Sequence, residues 1–211
     1  MRRHVLTSII GVVILLAASP AFATVVIDFE QGVGAGGTVT ASGGNASTTD
    51  IPVDILKVAG TGATDGVYDL TGTCSGAGQD GNGSACLAFD TAAGTISITG
   101  GVVGLAGLPN GTVLLSGNFT SSSVSAGSVL LVVSGTGPDT KDATLLADLN
   151  TSGPFNFFGF SLDANTATTG TPYVGTSNDI INTGVPEPAS AALLGGALLV
   201  ACALRRKSKR A

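Results

Sequence analysis

Ser128-Val129-Leu130-Leu131-Val132-Val133-Ser134 is the most apolar segment between the two ends of the chain. Five aliphatic residues stand between two serines, and three of the five are β-branched valines. That length and bounding fit a strand rather than a helix. Its apolar character predicts a central strand. Other short apolar runs surround it: 24–29 (TVVIDF), 51–58 (IPVDILKV), 85–90 (ACLAFD), 95–99 (TISIT) and Val102-Val103. Pro52 marks 51–58 as an edge strand. Pro109-Asn110-Gly111 is a turn signal ahead of a strand at 112–115. Residues 155–162 (FNFFGFSL) alternate Phe155, Phe157 and, after Phe158-Gly159, Phe160. Residues 143–149 (ATLLADL) are ambiguous and can form a short helix. Stretches 32–49 and 164–175 read as loose.

Many short strands separated by Gly-rich turns predict an all-β domain, a β-sandwich of jelly-roll-like type. The competing reading is a disordered, low-complexity segment, because Gly, Ser and Thr dominate. Burial of the apolar strands favours the sandwich.

Charge is distributed unevenly. Of nine basic residues, Arg2, Arg3, Arg205, Arg206, Lys207, Lys209 and Arg210 lie at the ends, and only Lys57 and Lys141 lie between. Thirteen of the fourteen acidic residues lie in that same middle, giving it a net charge of −11. Such a surface repels nucleic acid and anionic lipid. The single histidine is His4, so the middle has no imidazole and no guanidinium. Ser-His-Asp and Cys-His hydrolysis, His-ligated metals and Arg clamps on phosphate are excluded in their usual forms. Asp28 and Glu30 share one side of a strand and form a glycosidase pair only in principle; solvated acids are the simpler reading. No tryptophan is present and Tyr68 and Tyr173 are the only tyrosines, so a lectin lacks its usual stacking platform.

Cys74 and Cys86 bracket a loop rich in Gly, Asp and Asn, whereas Cys202 lies near the C-terminus. A 74–86 disulfide would stabilise by about 3 kcal/mol in an oxidising compartment. Asp80, Asn82 and Ser84 place oxygens at alternate positions, as in the start of an EF-hand loop. The pattern departs at Ala85 and Thr91, so this is a weak calcium candidate and otherwise a polar loop. No cofactor is expected.

The ends carry addressing signals. A basic start, an apolar run over 5–18 and the small-x-small box Ala21-Phe22-Ala23 predict a signal peptide over 1–23, cut after Ala23. The exported β domain then covers 24–184. Residues 185–211 combine three parts. Val185-Pro186-Glu187-Pro188 is held extended by its prolines. Residues 189–204 are apolar and predict a transmembrane helix of about 24 Å, short against a hydrocarbon core of about 30 Å. Arg205, Arg206, Lys207, Lys209 and Arg210 in the basic segment 205–211 resist passage through lipid.

That order of motif, apolar helix and basic end resembles the PEP-CTERM sorting signal of exopolysaccharide-producing Gram-negative bacteria. The resemblance covers 185–211. The N-terminal signal implies export through the Sec machinery and removal of the leader by signal peptidase, and the apolar tail with its basic end a precursor anchored in the inner membrane. Recognition by exosortase near Pro186-Glu187-Pro188 and release to the cell surface or extracellular matrix would follow. The expected function is a non-catalytic surface or matrix protein associated with exopolysaccharide and biofilm, with no nucleic-acid partner. Two other readings remain: a glycan-binding module or adhesin, and a carboxylate-dependent hydrolase.

Overall fold

The computed structural model describes residues 25–31, 36–74, 83–151, 158–166 and 172–183. All belong to one compact unit, Thr24–Val185. The expected signal peptide and the motif, helix and basic end of 185–211 lie outside the described residues. Among the described residues, no helix is long and apolar enough to cross a membrane.

The unit is all-β. Its strands are β1 (Val26–Glu30), β2 (Gly36–Ser42), β3 (Asn45–Val53), β4 (Ile55–Ala59), β5 (Gly66–Thr71), β6 (Ala85–Asp90) and β7 (Thr95–Val102). There follow β8 (Thr112–Asn118), β9 (Ser121–Ala126), β10 (Leu130–Gly137), β11 (Asp139–Lys141), a short helix α1 (Ala143–Asp148), β12 (Phe158–Asn165) and β13 (Tyr173–Thr183). Every pairing is antiparallel. One run is β9-β10-β12-β13-β1-β4-β5. A second is β2-β3-β6-β7-β8-β11. Strand β13 joins them: its start pairs with β2 and its end with β1. A short β5–β7 pairing, Leu70 opposite Val102, joins them again.

Period-two alternation gives each run one apolar face. Ile27, Phe29, Leu131, Val133, Phe158, Phe160 and Leu162 from the first run share one core cluster with Ile51, Leu87, Phe89, Ile98 and Leu115 from the second. Phe89 of β6 and Phe160 of β12, on strands that do not pair, have ring centroids 5.1 Å apart. The apolar faces of the two runs therefore meet.

Several expectations hold. β6 has the bounds read from ACLAFD, and Gly111 takes φ 91° in the turn before β8. Others need correction. The 128–134 segment is not central: β10 lies next to the terminal strand β9, and Leu130 and Val132 face solvent at 51% and 36% exposure. Its continuous apolar run hid an alternating strand. The 51–58 segment is two strands, broken at Asp54, and Pro52 sits in β3 between β2 and β6. Proline is tolerated there because the β2 register ends at Ser47. Most of 32–49 is ordered as a β2–β3 hairpin, with Gly43 and Gly44 at φ 58° and 80° supplying the turn. Residues 173–175 open β13 rather than lying loose. Residues 155–157 lie outside the described residues; in β12 the buried phase is Phe158, Phe160 and Leu162.

Candidate functional site

On the outward face of β9, β10 and β12, beyond the exposed Leu130 and Val132, lies a patch of hydroxyls. Ser123, Ser134 and Ser161 lie opposite one another across three strands. In the next row Ser121 and Thr136 are opposite, their hydroxyl oxygens 3.0 Å apart. Gly159 and Ile181 continue that row. Together they line a shallow depression of about 410 Å³. Phe160 also lines it but is only 4% exposed, so little aromatic surface is offered there.

The same row reaches Asp28 on β1 and Lys57 on β4. Asp28 and Glu30 share a face, as their spacing requires. Lys57 Nζ donates to Glu30 Oε1 at 2.6 Å. Partial burial opposes ionisation of Glu30, but its side-chain hydrogen bonding with Asp28 and Lys57, together with the Lys57 charge, outweighs it and holds its carboxyl below the usual range. Glu30 is thus engaged with Asp28 and with Lys57, and its contact with Lys57 is a surface ion pair.

Cys74 and Cys86 form a disulfide with Cα atoms 5.0 Å apart. The bridge holds Cys74 against Ser84, whose carbonyl accepts from Cys74 N–H at 3.1 Å. Ser84 is fully buried and its hydroxyl donates to the buried Asp54 carboxylate. It thus points into the domain and is engaged with Asp54; Asp80 and Asn82, the other residues of the calcium candidate, lie outside the described residues. No group of three or more His, Cys, Asp or Glu among the described residues is placed to hold a metal ion. Sorting residues Val185, Pro186, Glu187 and Pro188, the basic residues Arg205 to Arg210, and Ala21 and Ala23 also lie outside them.

A further cluster was not foreseen. Asp139 and Lys141 are i and i+2 on β11, so both side chains take one face of the strand. That face turns inward, and neither side chain is exposed. Lys141 Nζ donates to Asp139 Oδ2 at 2.8 Å and to Asn182 Oδ1 on β13 at 2.7 Å. Asn182 is fully buried and sits opposite Phe158 on one side and Ile27 on the other. Gly117 sits opposite Asp139, where a Cβ would lie 2.9 Å from Asp139 Cβ and 3.0 Å from Phe158 Cε1. Phe119 packs edge-on against Phe158, with ring centroids 5.4 Å apart.

The surroundings are apolar, and they govern the charges. Burial pushes the Asp139 carboxyl above its ordinary range, against the pull of Lys141. Burial likewise pushes the Lys141 amine down, against the pull of Asp139. Burial thus weakens the preference of both groups for their charged forms, while their mutual contact restores part of it. Asp139 Oδ1 and Asn182 Nδ2 are buried without a hydrogen bond. Such orphans each cost about 1–3 kcal/mol. The spacing of Asp139 and Lys141, in a region with only two cations, was the available signal in the sequence. Nothing local marked Asn182, 41 residues away.

Comparison of the chain with family models, with curated proteins and with solved structures gives no match.

Proposed function

We propose that this chain is an exported protein of the cell surface or extracellular matrix, processed by exosortase and without catalytic activity. The observation that carries the reading is the order of parts in 185–211: Pro186-Glu187-Pro188, an apolar run, then a basic end. The exported part is a two-layer β-sandwich of jelly-roll-like type, each strand run forming a layer. The Cys74–Cys86 disulfide supports a compartment outside the reducing cytoplasm. The net charge of −11 between the ends suits a hydrated, cation-holding matrix, with exopolysaccharide as the partner.

The test uses the full chain in a host that carries exosortase. Pro186, Glu187 and Pro188 are changed together to Ala, and intact mass and fractionation are compared with wild type. Wild type is expected to lose its basic end and leave the membrane, while the variant stays anchored. Identical mass and location for the two would refute the sorting role.

The hydroxyl rows of β9, β10 and β12 favour a second reading, a glycan-binding module. Sugar hydroxyls exchange hydrogen bonds with Ser and Thr, but without an exposed ring the contact is expected to be weak. Glycan-array binding by the purified protein, lost on changing Ser134 and Ser161 to bulky residues, separates this reading from a purely structural one.

A further inference from the structure

We propose that Lys141 and Asn182 become joined by an intramolecular isopeptide bond, with Asp139 as the acid–base group that makes the bond form. The bond would tie β11 of the second strand run to β13 of the first. The inference does not depend on the sorting reading.

Three features meet at one place. The nucleophile and its target are already in contact, with Lys141 Nζ 2.7 Å from Asn182 Oδ1. The carbon to be attacked is one bond further on. Holding two reactants in this way replaces a bimolecular encounter by an intramolecular step. The acid–base group touches the same nitrogen, with Asp139 Oδ2 2.8 Å from Nζ. The pocket is dry: Lys141 and Asp139 are buried and Asn182 is flanked by Phe158 and Ile27. A lysine amine becomes nucleophilic when desolvation strips its proton.

The steps balance without an external reagent. A proton passes from the Lys141 ammonium to the Asp139 carboxylate, leaving a neutral amine and a neutral acid. The Nζ lone pair forms a bond to Asn182 Cγ as Asp139 gives its proton to Oδ1. The carbonyl then re-forms and Oδ1 returns its proton to Asp139 as the Cγ–Nδ2 bond breaks and Nδ2 takes the electron pair. Nδ2 receives one proton from Nζ, relayed by Asp139, and the proton that first came from the Lys141 ammonium, so that it departs as ammonium, that is, ammonia plus that proton. The product is a neutral secondary amide, and Asp139 ends as the carboxylate it began as. The leaving nitrogen is Asn182 Nδ2, the buried donor that has no hydrogen bond. Its departure removes an unsatisfied group.

Placement gives the bond a use. Asn182 lies at the end of β13, and tension on the following residues would otherwise peel that strand from β1 and β12.

The test is peptide mapping of the full chain, purified and shown by circular dichroism to melt cooperatively. After reduction and cleavage at Asp residues, the fragment holding Lys141 should travel joined to the fragment holding Asn182. The joined species should be about 17 Da lighter than the sum of the two, the mass of one ammonia lost to the amine nucleophile. Separate fragments of unmodified mass from folded protein would overturn the proposal. Asp139→Asn should slow joining by about a hundredfold or more; joining at the wild-type rate would remove Asp139 from the chemistry. Asn182→Asp keeps the carbonyl and should join with loss of water, about 18 Da, through the same amine attack. Failure of folded Asn182→Asp protein to join, with wild type also unjoined, would count against the pocket as a reaction site.

Discussion

At the scale of single residues, space and hydrogen bonding make separable predictions. Gly117 has no room for a methyl group, since a Cβ would meet Pro138 O at 2.8 Å as well as Asp139 and Phe158. Gly117→Ala should therefore destabilise by about 1–3 kcal/mol through overpacking. Gly159 faces only Ile181 O at 3.9 Å, so Gly159→Ala should be neutral or slightly stabilising. Urea unfolding of the pair measures both, and equal losses would refute the packing argument. Asp65 gives the pH prediction. The Thr61 hydroxyl contributes most to holding its carboxyl below the ordinary 3.8; slight burial opposes, and N–H groups of Thr61, Gly60 and Gly62 add to the effect. A depressed folded value means the contribution to stability is present above the unfolded pKa and is lost as pH falls through the folded one. Carboxyl NMR titration should find the Asp65 midpoint below 3.8, and Thr61→Val should raise it. The Asp139–Lys141 spacing was visible in the sequence, but neither the strand β11 that carries it nor its burial was read there. Burial is decided by β8, β12 and β13, which are distant in the chain.

Elements differ in how openly the sequence declared them. β6 was legible as an apolar run bounded by turn residues, and the start of β7, 95–99, by its alternation, but Gly100-Gly101 hid that β7 runs on to Val102. β9, with one valine among four serines, and β2, with one buried residue, carried almost no apolar signal. Their strand geometry comes from ladders with β10, β3 and β13 rather than from propensity. The ambiguous 143–149 segment became helix α1 because Asp142 caps it. Its Oδ1 accepts from Thr144 N at 2.8 Å and from Leu145 N at 3.0 Å, and Leu145 is buried beneath. A helix of six residues depends strongly on such a cap. Asp142→Ala should reduce stability by about 1 kcal/mol, whereas Asp142→Asn should retain most of it. Equal losses on denaturant unfolding would mean that the carboxylate charge, not the cap geometry, matters.

For the whole molecule, the fold class was legible and the closure was not. Short apolar runs and glycine turns point to an all-β chain wherever they are read, but pairing partners are fixed by contacts between distant residues. β13 is the clearest case. Its residues, YVGTSNDIINT, mix polar and apolar side chains, yet it pairs with β12, β1 and β2 and supplies Asn182 to the Lys141 pocket. A chain ending at residue 171 would leave three strand edges unpaired and Lys141 without its Asn182 contact. Unpaired backbone edges and a buried cation are both strongly unfavourable. Such a chain is expected to show no cooperative urea transition by circular dichroism. The full chain with both Cys74→Ser and Cys86→Ser is the matched control. Losing that disulfide should remove about 3 kcal/mol by freeing a short loop in the unfolded state, yet leave the transition cooperative. A sharp transition in the truncated chain would show that β13 merely covers a core complete without it. The reverse pattern, with cooperativity surviving truncation but lost with the disulfide, would move the fold's closure from β13 to the Cys74–Cys86 corner.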